Sequence, residues 1–244
     1  MAKKPASTES KPVTSLTKLY NLLREKWPEY VLEVIVIIFS ITISFAVDEW
    51  KDGKQKQELE QVYLKGLYSD IRTDLNQLKE VMDETRQIIQ RTQKLSELNP
   101  QTPKADYTQF ADNIRFSFKR PRFIAEDATF SDLKSTGNMQ VIRSFPLKNS
   151  LFDYYKQYET IVQVETAELE TTNAIIGPYI LRRFSLAGKA SEAQKTNWIA
   201  ITGEAEFQNA LLIRRSTREE LLRDYQQSLK LGNEILALIK PKLN

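Results

Sequence analysis

The sequence predicts an all-α protein: one N-terminal transmembrane helix followed by an antiparallel helical bundle. Three observations predict it. First, Trp27 to Trp50 reads WPEYVLEVIVIIFSITISFAVDEW, and within it the eighteen residues from Tyr30 to Val47 carry one charge, Glu33. As a helix rising roughly 1.5 Å per residue, that run is about 27 Å long, close to a bilayer's hydrocarbon thickness. Second, Gly and Pro are scarce, at 7 and 9 residues, which argues against an all-β domain with many tight turns. Third, apolar residues recur at intervals of three and four through long stretches rich in Glu, Lys and Gln.

The spanning segment has a tryptophan at each end, Trp27 and Trp50, where indole rings favour the headgroup boundary and act as interface anchors. A cleavable signal peptide has a shorter apolar core and small residues before the cut. Here the core begins about thirty residues in and ends in Ala46-Val47-Asp48-Glu49-Trp50, so a retained signal anchor is expected. Residues 28–50 are assigned to the transmembrane helix. The lipid bilayer is therefore the first expected partner.

Charge sets the expected orientation. Residues 1–29 hold six basic groups (Lys3, Lys4, Lys11, Lys18, Arg24, Lys26) against three acidic ones (Glu9, Glu25, Glu29). Just after the span, Asp48, Glu49, Lys51, Asp52, Lys54 and Lys56 balance. Basic residues are retained on the cytoplasmic side. The expectation is a single-pass protein of the bacterial inner membrane, N-terminus cytoplasmic, with the C-terminal domain in the periplasm.

Composition excludes some chemistry. There is no cysteine and no histidine, so thiolate catalysis, Ser-His-Asp catalysis and histidine-ligated metals are impossible within this chain. No cofactor or metal site is expected. The basic excess belongs to the N-terminal segment and does not form the clustered face of a nucleic-acid binder, so no nucleic-acid partner is expected.

In chain order, residues 1–13 are polar and expected to be a disordered cytoplasmic tail. Over 14–27, Leu16, Leu19, Tyr20 and Leu23 share one face, predicting an amphipathic juxtamembrane helix. Pro28 suits the first turn of the span. Within the span, Glu33, Ser40, Ser44 and Asp48 are separated by seven, four and four, which places them on one stripe. Ser40 and Ser44 form a small-xxx-small pair that admits close helix approach, so the stripe is a candidate helix-association face for a second copy or another membrane protein. It also reads as an ion or proton path, or as a simple interfacial anchor with Glu33 shallow in the membrane.

Residues 51–244 are assigned to an extracytoplasmic helical bundle. Over 54–98, Leu64, Leu67, Ile71, Leu75, Leu78, Met82, Ile89, Leu95 and Leu98 form the core face of a long helix, with Gly53 a candidate bend. Asn99-Pro100-Gln101-Thr102-Pro103 ends it. In 106–126, Tyr107, Phe110 and Ile114 fit a helix, whereas Ile114, Phe116 and Phe118 alternate as in a strand. Asp127 or Thr129 caps a short helix through Ser135, and Gly137 suits the left-handed residue that closes it. Pro146 opens a helix running to about Asn173, interrupted at Gly177-Pro178. Residues 185–203 read as a polar connection containing Trp198. A last long helix runs from Glu204 to Ile239, and Pro241 stops it.

The span resembles a widespread uncharacterised family of bacterial single-span membrane proteins. Glu33-x16-Trp50 is similar to its signature, close to G-E-I-x-L-V-x-x-G-I-x-I-A-x-x-x-N-x-W. Leu32 and Ser40 stand where the family has Gly, Ser44 where it has Ala, and Asp48 where it has Asn. Residues 128–142, ATFSDLKSTGNMQVI, are similar to its T-[FY]-x-E-L-x-x-S-G-x-x-x-x-I segment, and Leu151-Phe152-Asp153-Tyr154-Tyr155 to its L-x-x-Y-Y. The resemblance implies a membrane anchor with a helical extracytoplasmic domain, and it implies no activity.

Catalytic constellations are thin. Glu168/Glu170 and Glu219/Glu220 lie in charged helical runs and read as solvated faces. Asp127, Asp132 and Asp153 read as caps and ion-pair partners. The function expected is a non-enzymatic membrane-anchored module that binds a partner or self-assembles. The alternative is a subunit of an ion- or proton-coupled membrane assembly using the Glu33 stripe.

Overall fold

A computed structural model describes residues 15–99, 101, 106–185 and 198–243, and it contains helices and their connections with no strand among them. The expected tail, residues 1–13, and residues 186–197 lie outside the described residues, as do the side chains of Leu16, Leu19 and Leu23. The chain divides into two compact units, Met1–Gln57 and Glu58–Asn244. Helix α1 (Ser15–Ser96) contributes to both, and its backbone is helical through Pro28 and Gly53.

In the first unit the apolar run is uncovered. Residues from Val34 to Val47 such as Ile37, Phe39, Ile43 and Phe45 are 48–70% exposed. The best 18-residue window has a mean hydropathy of 2.4 with none of it buried. Among the described residues this is the one helix long and apolar enough to cross a membrane.

The second unit adds α2 (Tyr107–Ser117), α3 (Ala128–Ser135), α4 (Phe145–Thr171), α5 (Gly177–Arg183) and α6 (Ala205–Ile239) to the remainder of α1. Asp106 caps α2, its carboxylate accepting from the N–H groups of Thr108 and Gln109 at 3.1 and 3.2 Å. The competing strand pattern is not realised; from Lys119 to Asp127 the chain is a non-helical strap. Asp127 precedes α3, and Gly137 at φ 74° takes the left-handed turn that Cβ-bearing residues resist. A 3-10 turn, Asn138–Val141, follows and leads Val141 and Ile142 into the core. Gly177-Pro178 does not interrupt the chain's helical path. A π-turn, Thr172–Ile176, widens the backbone just before it, with Gly177 N–H bonded to Thr172 C=O. The wider turn supplies an i→i+5 bond where Pro178 has no N–H to offer.

Helix α6 runs against both other long helices. Gln61 reaches Lys242 C=O at 2.8 Å, while Arg215 reaches Gln93 farther along α1. Gln157 pairs with Asp224, and Glu168, later on α4, pairs with Arg218, earlier on α6. Helices α1 and α4 run in the same direction, as Glu60 with Arg143 and Asp74 with Tyr154 show. Two parallel helices need a long return between them, and residues 97–144 provide it.

The core has two parts. The larger joins Leu64, Leu67, Ile71 and Leu78 of α1 to Phe130, Leu147, Leu151, Tyr154, Leu221 and Tyr225. The smaller joins Leu95 to Phe110, Ile114, Tyr179, Phe184, Trp198 and Phe207. Trp198, expected in a polar connection, is buried here, with its ring centroid 4.4 Å from that of Phe110. On α1 the buried stripe passes through Thr85, Ile88 and Thr92, so Ile88 is buried and Ile89 only half-buried. The two threonines hid the true phase of the helix from a count of apolar residues alone.

Candidate functional site

The residues singled out in the span are all exposed. Trp27 is 67% and Trp50 70% exposed, and Glu33, Ser40, Ser44 and Asp48 stand on the uncovered surface of α1. Ser40 Oγ donates to Val36 C=O at 2.7 Å and Ser44 Oγ to Ser40 C=O at 3.0 Å. Both hydroxyls are thus satisfied by their own helix, leaving a narrow, small-sided stripe between larger apolar neighbours.

The second unit holds a different constellation, built around the strap. Its backbone has no strand partner, so side chains take its N–H groups. Ile124, Glu126 and Thr129 donate to Gln77, Asp74 and Asp70 at 3.2, 2.8 and 3.3 Å. These acceptors are spaced by four and three on α1 and so share one face. Phe123 N–H donates to Glu165 on α4 at 3.1 Å, and Arg143 N–H to Glu60 at 2.8 Å. A row of polar side chains therefore replaces the missing sheet partner.

Asp74 is the deepest of the row, with no exposed surface. It also accepts the Tyr154 hydroxyl at 2.8 Å. Burial pushes its carboxyl up to about 7, against the opposing pull of the Glu126 N–H and Tyr154 O–H donors. The Tyr154 and Tyr155 hydroxyls are held above the ordinary tyrosine range by burial first and by the charge of Asp74 second. Tyr155 donates to Glu126 C=O at 2.9 Å and stacks on Phe130 with ring centroids 4.1 Å apart, so both strap and α3 are tied to α4.

Between the two cores lies a buried ionic cluster. Glu168 accepts from both Arg214 and Arg218, and the arginines are 1% and 0% exposed. Their remaining donors turn to the chain leaving α2. Arg214 Nε reaches Ser117 C=O at 2.7 Å, another of its nitrogens reaches Lys119 C=O, and Arg218 reaches Pro121 C=O at 3.1 Å. The arginines thus hold alternate carbonyls, 117, 119 and 121. Glu165 completes the cluster, accepting Tyr225 O–H at 2.8 Å and Arg122 Nε at 3.1 Å besides Phe123 N–H. Burial first, then the neighbouring charge of Arg218, lowers the Arg214 pKa to about 10, with Glu168 opposing both. Arg214 remains a cation at neutral pH.

This corrects the reading of Glu168 as part of a solvated face. Glu170 is exposed, but Glu168 points inward because it falls in step with Ile161, Glu165 and Thr172. Likewise Phe207, Leu211, Arg214, Arg218, Leu221 and Tyr225 form one unbroken three-four stripe on α6. That stripe was the available signal; charged residues lying in an apolar phase mark buried ion pairs. Glu219 and Glu220 lie on the half-buried and exposed sides. Asp127 accepts from Ser131 Oγ, Asp132 accepts from Tyr63 O–H at 2.7 Å, and Asp153 is exposed.

A cleft of about 310 Å³ opens beside this cluster, lined by Arg120, Arg122, Glu165, Thr166, Glu168 and Leu169. Among the described residues no group of three or more acidic side chains is placed to hold a metal ion. Chemically, the buried carboxylates are fixed acceptors whose oxygens are already engaged by backbone N–H, hydroxyl or guanidinium groups. Comparison of the chain with known protein families, with curated proteins and with solved structures finds no match.

Proposed function

We propose that this chain is a non-enzymatic, membrane-anchored module of the bacterial inner membrane. On this reading it is single-pass, with its N-terminus cytoplasmic and its helical domain periplasmic, and it belongs to the family of single-span proteins that Glu33-x16-Trp50 resembles. Its partners are the bilayer and either a second copy or another membrane protein, and it binds no nucleic acid.

The observation that carries the reading is the uncovered apolar run, joined in one chain to a domain whose described buried carboxylates already accept hydrogen bonds. An eighteen-residue apolar helix left in water exposes far more nonpolar surface than a soluble monomer tolerates, and the bilayer is the cover that fits its length. Among the described residues the buried acids Asp74, Glu165 and Glu168 accept hydrogen bonds that hold the strap, which supports a structural role for them. Within the span, Ser40 and Ser44 bond to their own backbone and leave a small-sided stripe, which suits close approach of a second helix.

A test uses membranes of a Gram-negative host. The full chain should stay in the membrane pellet after alkaline carbonate washing, and a reporter active only in the periplasm, fused after Asn244, should be active. Release into the wash would remove the anchor; a silent periplasmic reporter with an active cytoplasmic one would reverse the orientation.

A further inference from the structure

Where the strap crosses α4 and α6 the charges do not balance. Four guanidinium groups, those of Arg120, Arg122, Arg214 and Arg218, gather where the strap crosses α4 and α6. Two carboxylates, Glu165 and Glu168, face them, which leaves an excess of two positive charges. The other cation of the strap is directed elsewhere: Lys119 Nζ lies 4.4 Å from the Phe116 ring centroid.

The excess is not spread evenly. Arg214 and Arg218 are buried and saturate Glu168, and their outer donors are fixed on carbonyls. Arg122 uses only its Nε on Glu165, and Arg120 uses one nitrogen on Asn173 Oδ1 at 3.2 Å. Two guanidinium forks therefore keep unused N–H donors on the wall of one cleft, with Thr166 and Leu169 on the α4 side. The field of Arg120 reaches inward, since it adds to the lowering of the Arg214 pKa. At about 310 Å³ the cleft is at the small end of the range for ligand sites, about 300 to 1,000 Å³.

We propose that this cleft binds a phosphate-type oxyanion, held by the free forks of Arg120 and Arg122. Planar forks match the tetrahedral oxyanion edge by paired N–H···O bonds, and a doubly charged anion cancels the local excess. Glu165 and Glu168 already accept three bonds each, from Phe123, Tyr225 and Arg122 Nε and from Arg214 once and Arg218 twice, so most of their acceptor capacity is spent away from the terminal nitrogens of Arg120 and Arg122. The anion comes either as free phosphate or as the monoester of a small alcohol. The inference does not rest on the membrane reading, and either can fail without the other.

The test is isothermal titration of the full-length chain in detergent with inorganic phosphate, and separately with glycerol 3-phosphate, at constant ionic strength set by chloride. Saturable binding of one anion per chain is expected for at least one probe. Arg120→Gln/Arg122→Gln should weaken it by about tenfold or more, and Arg120→Lys/Arg122→Lys, which keeps the charge and loses the fork, by a smaller factor. Both arginines are exposed, so the variants should keep the wild-type helical circular dichroism. Arg86→Gln, which removes an exposed arginine paired with Asp83 on α1, should bind as wild type. Tighter binding of the ester than of phosphate would identify the ligand as an ester, and equal or weaker binding as the free anion. No saturable binding of either probe, or an undiminished affinity in both double variants, would overturn the proposal.

Discussion

Asp74→Asn tests the row of side chains that holds the strap. Asp74 is fully buried, accepts Glu126 N–H and Tyr154 O–H at 2.8 Å each, and has its carboxyl raised from 3.8 to about 7. The unfolded chain binds this proton only below about pH 4, while the folded chain still holds it up to about pH 7. Between those values the folded state binds more protons, so stability falls as pH rises through the window and levels off above it. Three units at 1.36 kcal/mol each make the swing roughly 4 kcal/mol. For a unit of about 190 residues that is on the order of 8–16 °C in Tm. Asparagine keeps the shape and an acceptor oxygen and removes the titration. Thermal melts of both proteins, followed by circular dichroism from pH 4.5 to 8, should show the wild type losing its advantage over the variant as pH rises. Two curves that stay parallel, within about 1 kcal/mol across the range, would refute the reasoning, because they would mean that the two hydrogen bonds outweigh burial and Asp74 is ionised throughout.

Glu168→Gln leaves Arg214 and Arg218 buried without an anion and should cost about 3–5 kcal/mol, seen as a fall in Tm; a loss under about 1 kcal/mol would show that the cluster is hydrated rather than paired. Gly232→Ala should destabilise by about 1–3 kcal/mol despite alanine's better helix propensity, because its Cβ would lie 2.7 Å from Leu75 Cδ2. Combining it with Leu75→Ala should give a loss smaller than the sum of the two, measured by the same melts. In membranes, Ser40→Cys and Ser44→Cys should form crosslinked dimers and Ile38→Cys should not, a clean assay in a chain with no native cysteine; absence of any crosslink at both serines would count against self-association through this stripe.

Legibility followed the range of the interaction. The bounds of Ala128–Ser135, the left-handed Gly137, Pro146 opening α4 and the start of α6 after Glu204 lie close to where the sequence places them, although Asp127 stands at the N-cap position without a side-chain cap bond, its carboxylate taking Ser131 Oγ instead. Each depends on residues within one or two turns. Beyond Met82 the apolar count places Leu95 correctly but takes Ile89 for Ile88, because the buried stripe there runs through Thr85 and Thr92, with Thr92 Oγ1 donating to Ile88 C=O at 2.8 Å. Gly177-Pro178 was read as a break because the π-turn that absorbs it is a backbone adjustment with no residue signature of its own. Residues 106–126 read as helix or strand from their aromatics; Tyr107–Ser117 is helix, and the strap that follows is neither, since its hydrogen bonds go to side chains on α1 and α4.

By itself the sequence determined the helical class, the single apolar helix and the three long amphipathic helices, because hydrophobic period and helix propensity act locally along the chain. Only the tertiary structure decided that α1 and α4 run in the same direction, that Asp74 and Glu168 are buried, and that two arginines of α6 hold alternate carbonyls from the end of α2 into the strap, nearly a hundred residues earlier. A buried charge and a solvated one look alike in a list of residues. What separates them is whether distant donors and acceptors converge on the same point once the helices pack, and that is settled by the fold as a whole.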